Sequence, residues 1–238
     1  MKNKGKILII IGIALTIATL FTCVYVFGIY LPRQKEENER ERMILEYYAG
    51  KLDLYQEENA QRADYEVDVA FLGDSLTDGY DLAKYYPQYV TSNRGIGGET
   101  THGLEKRLAV SLYDLKPKVA VILIGGNNLD NMLENYERML IDIKENLPET
   151  AVVVCSLTAM GGDWAHKNKI AAYNNVVIGK LAAKYGFEFA DLYLPLFDEN
   201  LGEIYAEYTT DGAHLTSRGY EIVTSVITPI LNTLLAEK

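Results

Sequence analysis

The chain has 238 residues, 33 of them acidic and 23 basic, for a formal net charge of −10. That balance excludes a nucleic-acid binder, whose ligand demands a basic patch, and reads instead as the solubility of an exposed domain. Setting aside an unlike N-terminal part leaves roughly 175 residues, enough for one domain with a substantial core.

Lys2, Lys4 and Lys6 form a short basic head, 1–6, before an uncharged run over 7–31. As a helix that run spans about 37 Å, more than the hydrocarbon core of a bilayer. A cleaved signal peptide would have a shorter apolar stretch ending at a small-x-small site, and none follows. A lipoprotein reading would use Cys23, which Phe21 and Thr22 precede poorly for cleavage. The run therefore reads as a single-pass transmembrane anchor. The lysine-rich head and the lack of a later apolar span place the N-terminus inside and the bulk of the chain outside. Residues 32–64 mix charges at helical spacing and predict a solvated helical stalk without a sustained heptad. The second cysteine, Cys155, falls in a predicted core strand, so no disulfide framework is expected.

From residue 65 apolar runs alternate with helical patterns. Strands are predicted over 67–72, 90–93, 118–124, 151–156 and 187–192. Helices are predicted over 81–89, from the Gly97-Gly98 turn through Leu112, from Asn128 to about Leu147, over 167–185, and over 217–235. Strands apolar on both faces that alternate with helices form a parallel sheet between two helix layers, with sites beyond the carboxyl ends of the strands.

The residues just past those ends carry the chemistry. Ser75 follows the first strand, with Thr77 or Asp78 available to cap the next helix. Gly97 and Gly98 follow the second strand, Asn127 and Asn128 the third, and Asp211-Gly212-Ala213-His214 precedes the last helix. A serine nucleophile needs a base, and the base needs a group to fix its tautomer. Asp211 and His214, three apart, fit those roles. The backbone N–H groups of Ser75 and Gly98 and the Asn127 amide would supply oxyanion donors. The chain has three histidines. Of the other two, His102 lies near a helix start, and His166 follows Asp163 by three and is the rival base.

Gly73-Asp74-Ser75-Leu76, Gly95-Ile96-Gly97-Gly98-Glu99-Thr100, Gly125-Gly126-Asn127-Asn128 and Asp211-Gly212-Ala213-His214-Leu215-Thr216 resemble the four ordered blocks of the SGNH (GDSL) hydrolase family, covering about 67–236. The style is that of the platelet-activating-factor acetylhydrolase-like branch, where the third block also reads Gly-x-Asn-Asn; Asn128 stands where the commoner form has Asp. The resemblance implies a flavodoxin-like three-layer α/β/α sandwich over 65–238, with a five-stranded parallel sheet in the order 2-1-3-4-5. It implies an ester hydrolase using Ser75, Asp211 and His214, with Ser75, Gly98 and Asn127 as the oxyanion hole and with no metal or organic cofactor. Thr77 stands where a Gly-x-Ser-x-Gly elbow has glycine, which argues against the α/β-hydrolase fold. The expected substrate is a small-molecule, glycan or lipid ester carrying a short acyl group. Trp164 would line an acyl or sugar pocket or pack its own loop. The alternatives are a lysophospholipase or thioesterase, and a tethered binding protein without chemistry.

Overall fold

A computed structural model describes residues 2–236; Met1 of the basic head and Glu237 and Lys238 of the expected hydrolase domain lie outside them. The chain divides into two compact units, Met1–Gly50 and Lys51–Lys238.

The first unit holds α1 (Lys2–Tyr25), a π-helical turn, Val26–Tyr30, and the first part of α2 (Leu31–Gln61). Leu15, Leu20, Phe21 and Phe27 are exposed, and Thr16, Thr19 and Thr22 return their hydroxyls to carbonyls four residues back. By length and composition this apolar helix can cross a bilayer, with its polar groups satisfied internally. Beyond it α2 turns charged, with Lys35–Glu39 and Arg42–Glu46 pairs one turn apart.

The second unit is built on five short strands: β1 (Val69–Gly73), β2 (Thr91–Gly95), β3 (Val119–Leu123), β4 (Ala151–Cys155) and β5 (Glu188–Ala190). All pair in parallel, in the order 2-1-3-4-5. Every residue of β1 and β3 is buried, as the central strands of a sheet covered on both faces must be. The helices α3 (Ser75–Asp78) and α4 (Leu82–Tyr85) lead from β1 outward to β2. The chain then runs the other way, through α5 (Thr101–Lys106), α6 (Leu133–Asn146) and α7 (Asn168–Tyr185). Right-handed crossovers in opposite directions put α3–α4 on one face and α5–α7 on the other. A short helix α8 (Tyr193–Leu196) and a two-stranded hairpin, β6 (Phe197–Asp198) with β7 (Glu203–Ile204), precede α9 (Ser217–Ala236). The last helix buries Gly219, Val223, Ile227 and Leu231 at every fourth position, and its Tyr220 ring stacks 4.7 Å from that of Tyr80, on the face that carries α3 and α4. The chain reverses direction at β1, which opens a crevice between the C-terminal ends of β1 and β3.

Several elements differ from the sequence pattern, each for a local reason. The helix expected over 81–89 stops at Tyr85, because Pro87 disfavours helical backbone at the residue before it. The second strand runs to Gly95, two residues further than expected, and carries a fully buried Arg94. The helix expected to reach Leu112 ends at Lys106 and resumes as a π-helical turn, Ala109–Tyr113. The last strand is only three residues long, at the sheet edge. The cap of α3 is Asp74, not Thr77 or Asp78: its carboxylate accepts from the Leu76 N–H at 3.1 Å. Finally, the compact unit begins at Lys51 rather than at residue 65. The last part of α2, expected as spacer, belongs to it and buries Tyr55.

Candidate active site

The sharp turn between β1 and α3 sets Ser75 at the end of a buried strand and at the first residue of a helix. Gly73 permits it: a Cβ there would meet the Leu123 carbonyl oxygen and the Thr77 hydroxyl at 2.2 Å. His214 arrives from the far end of the chain. Its segment is held by a bridge between Thr209 and Leu215, by Gly161 N–H donating to Gly212 O at 2.8 Å, and by Thr209 Oγ1 donating to His214 O at 2.8 Å.

The two meet: Ser75 Oγ lies 3.0 Å from His214 Nε2. On the other side of the ring, His214 Nδ1 lies 2.7 Å from Asp211 Oδ2. A carboxylate only accepts, so that contact assigns the proton to Nδ1 and leaves the Nε2 lone pair toward the serine hydroxyl. Asp211 Oδ1 takes the backbone N–H groups of His214 at 2.8 Å and Ala213 at 2.9 Å. The His214 backbone N–H foremost, then the His214 ring and the Ala213 N–H, hold the Asp211 carboxyl down at about 2, although the side chain is half exposed. Asp211 is thus a fixed anion throughout the physiological range.

Gly98 and Asn127 come together through the residue between them in space. Asn127 Nδ2 donates to Glu99 O at 2.9 Å, which ties the end of β3 to the turn after β2 and leaves the second amide hydrogen. Gly98 sits at φ +77 with open space where a side chain would start, a backbone conformation that suits glycine and presents the peptide closely to a bound group. Asn128 points the other way. It accepts from Thr101 N–H at 3.2 Å and donates to Thr101 Oγ1 and Asn131 Oδ1 at 3.0 Å, so it fastens the start of α5.

A cavity of about 120 Å³ opens at this point, lined by Ser75, Asn127 and His214 with Leu76, Leu123, Leu157, Met160 and Trp164. Gly98 and Asp211 do not line it. Trp164 does, from a 3-10 turn after β4; the residue is 42% exposed and its ring carries Lys167 Nζ at 4.5 Å. The rival histidine forms no such arrangement. His166 Nδ1 sits 2.8 Å from the backbone carbonyl of Asp163 rather than its carboxylate, and His102 lies 3.8 Å from Glu134.

Sequence reasoning passed over Asp74, Glu99 and Arg107. Asp74 is buried against the cavity, and desolvation first of all raises its carboxyl to about 6, against the Leu76 N–H and His214, which lower it. Glu99 and Arg107 form a buried pair at 2.8 Å beneath the Gly98 turn. The signal for Asp74 was present in the Gly-Asp-Ser-Leu block; nothing in the sequence marks Arg107 as buried.

A strand-end serine thus lies within hydrogen-bonding distance of a histidine that an aspartate contacts, on a parallel sheet of order 2-1-3-4-5. Residues 71–222 match the GDSL-like lipase/acylhydrolase family, and the chain belongs to it. It is a carboxylic ester hydrolase of that family. Among its relatives, the human platelet-activating factor acetylhydrolase IB subunit alpha2 is 30% identical over 193 residues, covering 73% of this chain and 80% of the relative. The solved structure of a GDSL-like lipase from Bacteroides thetaiotaomicron is 25% identical at a TM-score of 0.67, covering 76% of this chain and 97% of the other. An acetylxylan esterase from Geobacillus stearothermophilus shares the fold at 20% identity and a TM-score of 0.58, covering 71% and 95%.

Proposed function

We propose that the protein is a membrane-anchored serine esterase that removes short acyl groups, acetyl foremost, from carbohydrate, cell-envelope or lipid esters outside the membrane. Ser75 is the nucleophile, His214 the general base and then acid, and Asp211 the group that orients His214. Ser75 Oγ attacks the ester carbonyl as its proton passes to His214 Nε2, and Asp211 stabilises the imidazolium. The oxyanion is received by the Ser75 and Gly98 N–H groups and the Asn127 amide. The C–O bond to the alcohol breaks, the alcohol takes the proton from His214, and water repeats the sequence on the acyl-serine to release the acid. The 3.0 Å contact between Ser75 Oγ and His214 Nε2, backed by the 2.7 Å contact to Asp211, carries the reading.

The acyl length rests on the cavity. A space of about 120 Å³ walled by Leu123, Leu157 and Met160 accepts a group of a few carbons and is well below the roughly 300 Å³ at which pockets for larger ligands begin. Trp164 at its edge would bound the acyl or sugar side. The relatives named for acetyl esters support the same choice. The location rests on the apolar helix that precedes the hydrolase unit and on the basic head before it. Hydrolysis of a chromogenic ester series from acetate to long acyl chains tests the assignment: kcat/KM should be highest for acetate and should vanish in Ser75→Ala. Long chains turned over much faster than acetate would favour a lipid acyl hydrolase instead.

A further inference from the structure

The last three or so turns of α2 reach α3, which begins at Ser75, and β2, which leads into the Gly98 turn. Lys51 pairs with Asp78 at the end of α3. Tyr55, only 4% exposed, donates its hydroxyl to Gly95 O at 2.7 Å, the last residue of β2 before the Gly98 turn. Its ring lies under the Arg94 guanidinium at 4.8 Å and the Arg107 guanidinium at 6.0 Å. Arg94 in turn donates to Glu58 Oε2 at 3.0 Å and Asn59 Oδ1 at 2.9 Å, both on α2.

Arg107 carries the connection onward. It donates to Arg94 O at 2.9 Å, to Gly73 O at 3.0 Å just ahead of Ser75, and to Glu99 Oε2 at 2.8 Å. Glu99 takes the Thr100 N–H on its other carboxylate oxygen at 2.9 Å, and its own carbonyl accepts from Asn127 Nδ2. The network balances two buried cations against Glu58 and Glu99, and half of that balance is supplied by α2. In the turn Gly95-Ile96-Gly97-Gly98 the one side chain, Ile96, is buried and anchors its start, while the Gly97 and Gly98 peptides beyond it have no side chain to fix them and depend on these bonds.

We propose that Tyr55 is a positioning residue for ester hydrolysis: through Gly95 and the Arg94–Arg107–Glu99 network, the end of the juxtamembrane helix sets the alignment of the Gly98 N–H and the Asn127 amide. This rests on the serine-esterase reading above. The role goes beyond folding, because the network ends at the turn that carries the Gly98 N–H and at Asn127, and none of its bonds described above is made to Ser75, His214 or Asp211.

The test is a double-mutant cycle on the full chain in detergent, with kcat and KM for a chromogenic acetate measured for wild type, Tyr55→Phe, Asn127→Ala and the combination. Tyr55→Phe keeps the ring against both guanidinium groups and removes one hydrogen bond. It should lower kcat roughly 10-fold with KM and the pH midpoint of kcat/KM nearly unchanged. In the Asn127→Ala background most of that loss should disappear, since the donors it aligns are already incomplete. Equal losses in both backgrounds, or no loss in either, would overturn the proposal. Glu58→Gln, which preserves shape and removes the charge facing Arg94, is read by the same cycle and stands in if Tyr55→Phe melts before assay. Ser75→Ala separates the two levels. If it and Asn127→Ala retain wild-type activity, the serine reading itself fails; if both lose activity while the Tyr55 cycle is additive, only the positioning role fails.

Discussion

Asp74 and Asp211 flank the Ser75–His214 contact and are driven in opposite directions by their surroundings. Asp211 is held at about 2 by N–H donors, so its contribution to stability is complete above about pH 4 and is lost as pH falls through 2. Asp74 is raised from 3.8 to about 6 by burial, with His214, Glu99 and Tyr220 as the titratable groups that face it. Its contribution has the other sign: it is complete below pH 3.8 and is lost as pH rises through 6, because the folded state must then bury a charge. Asp74→Asn, which can still accept from the Leu76 N–H, should therefore gain stability relative to wild type between pH 4 and pH 8, by about 3 kcal/mol at most. Thermal melts of both proteins at the two pH values measure it, and a difference that does not change with pH contradicts it. The neighbouring asparagines should separate as cleanly. Asn127→Ala removes the amide proposed as an oxyanion donor and should cost roughly 10²–10³ in kcat. Asn128→Ala removes the bonds to Thr101 and Asn131 and should instead lower stability by about 1–2 kcal/mol, with the smaller effect on kcat.

The elements were legible in the sequence wherever one physical signal dominated. β1, β3 and β4 are unbroken apolar runs because they lie in the middle of a covered sheet, and α9 repeats its buried residues every four positions. The contact of Ser75 with His214 and of His214 with Asp211 was findable in the sequence because each of the three follows a strand end or precedes the last helix, inside a short motif. The rest depended on partners distant in sequence. Arg94, in an edge strand, reads as a solvated charge, yet α2 buries it completely from 35 and 36 residues away. For the same reason the charged composition of α2 concealed that its end belongs to the hydrolase unit. Removing one partner from such a buried set is costly, so Arg94→Ala should destabilise the protein by about 3–5 kcal/mol, read by urea unfolding. A chain shortened to begin at Lys51 should melt like the parent hydrolase unit. One beginning at Arg62, which lacks Tyr55, Glu58 and Asn59, should melt far lower; equal melting of the two would show that α2 contributes nothing to the fold.

At the scale of the whole molecule, an apolar helix long enough to cross a bilayer and the charged α2 precede the hydrolase unit, which is what the proposed tether rests on. The full chain should sediment with membranes, resist alkaline extraction and be released by detergent; a mature protein beginning after residue 31 would contradict the tether. If Ser75 and His214 act as one device, steady-state hydrolysis of a chromogenic acetate by single and double variants shows it. Residues that act together give losses that do not add. Ser75→Ala and His214→Ala should each lower kcat by on the order of 10⁴–10⁶, and the double variant should be scarcely worse than either. Asp211→Ala should fall between these and Asn127→Ala, since it supports the base without touching substrate. If His214→Ala kept near-wild-type activity while His166→Ala lost it, the base would be His166, and the pairing of Ser75 with His214 at 3.0 Å would have no part in the reaction.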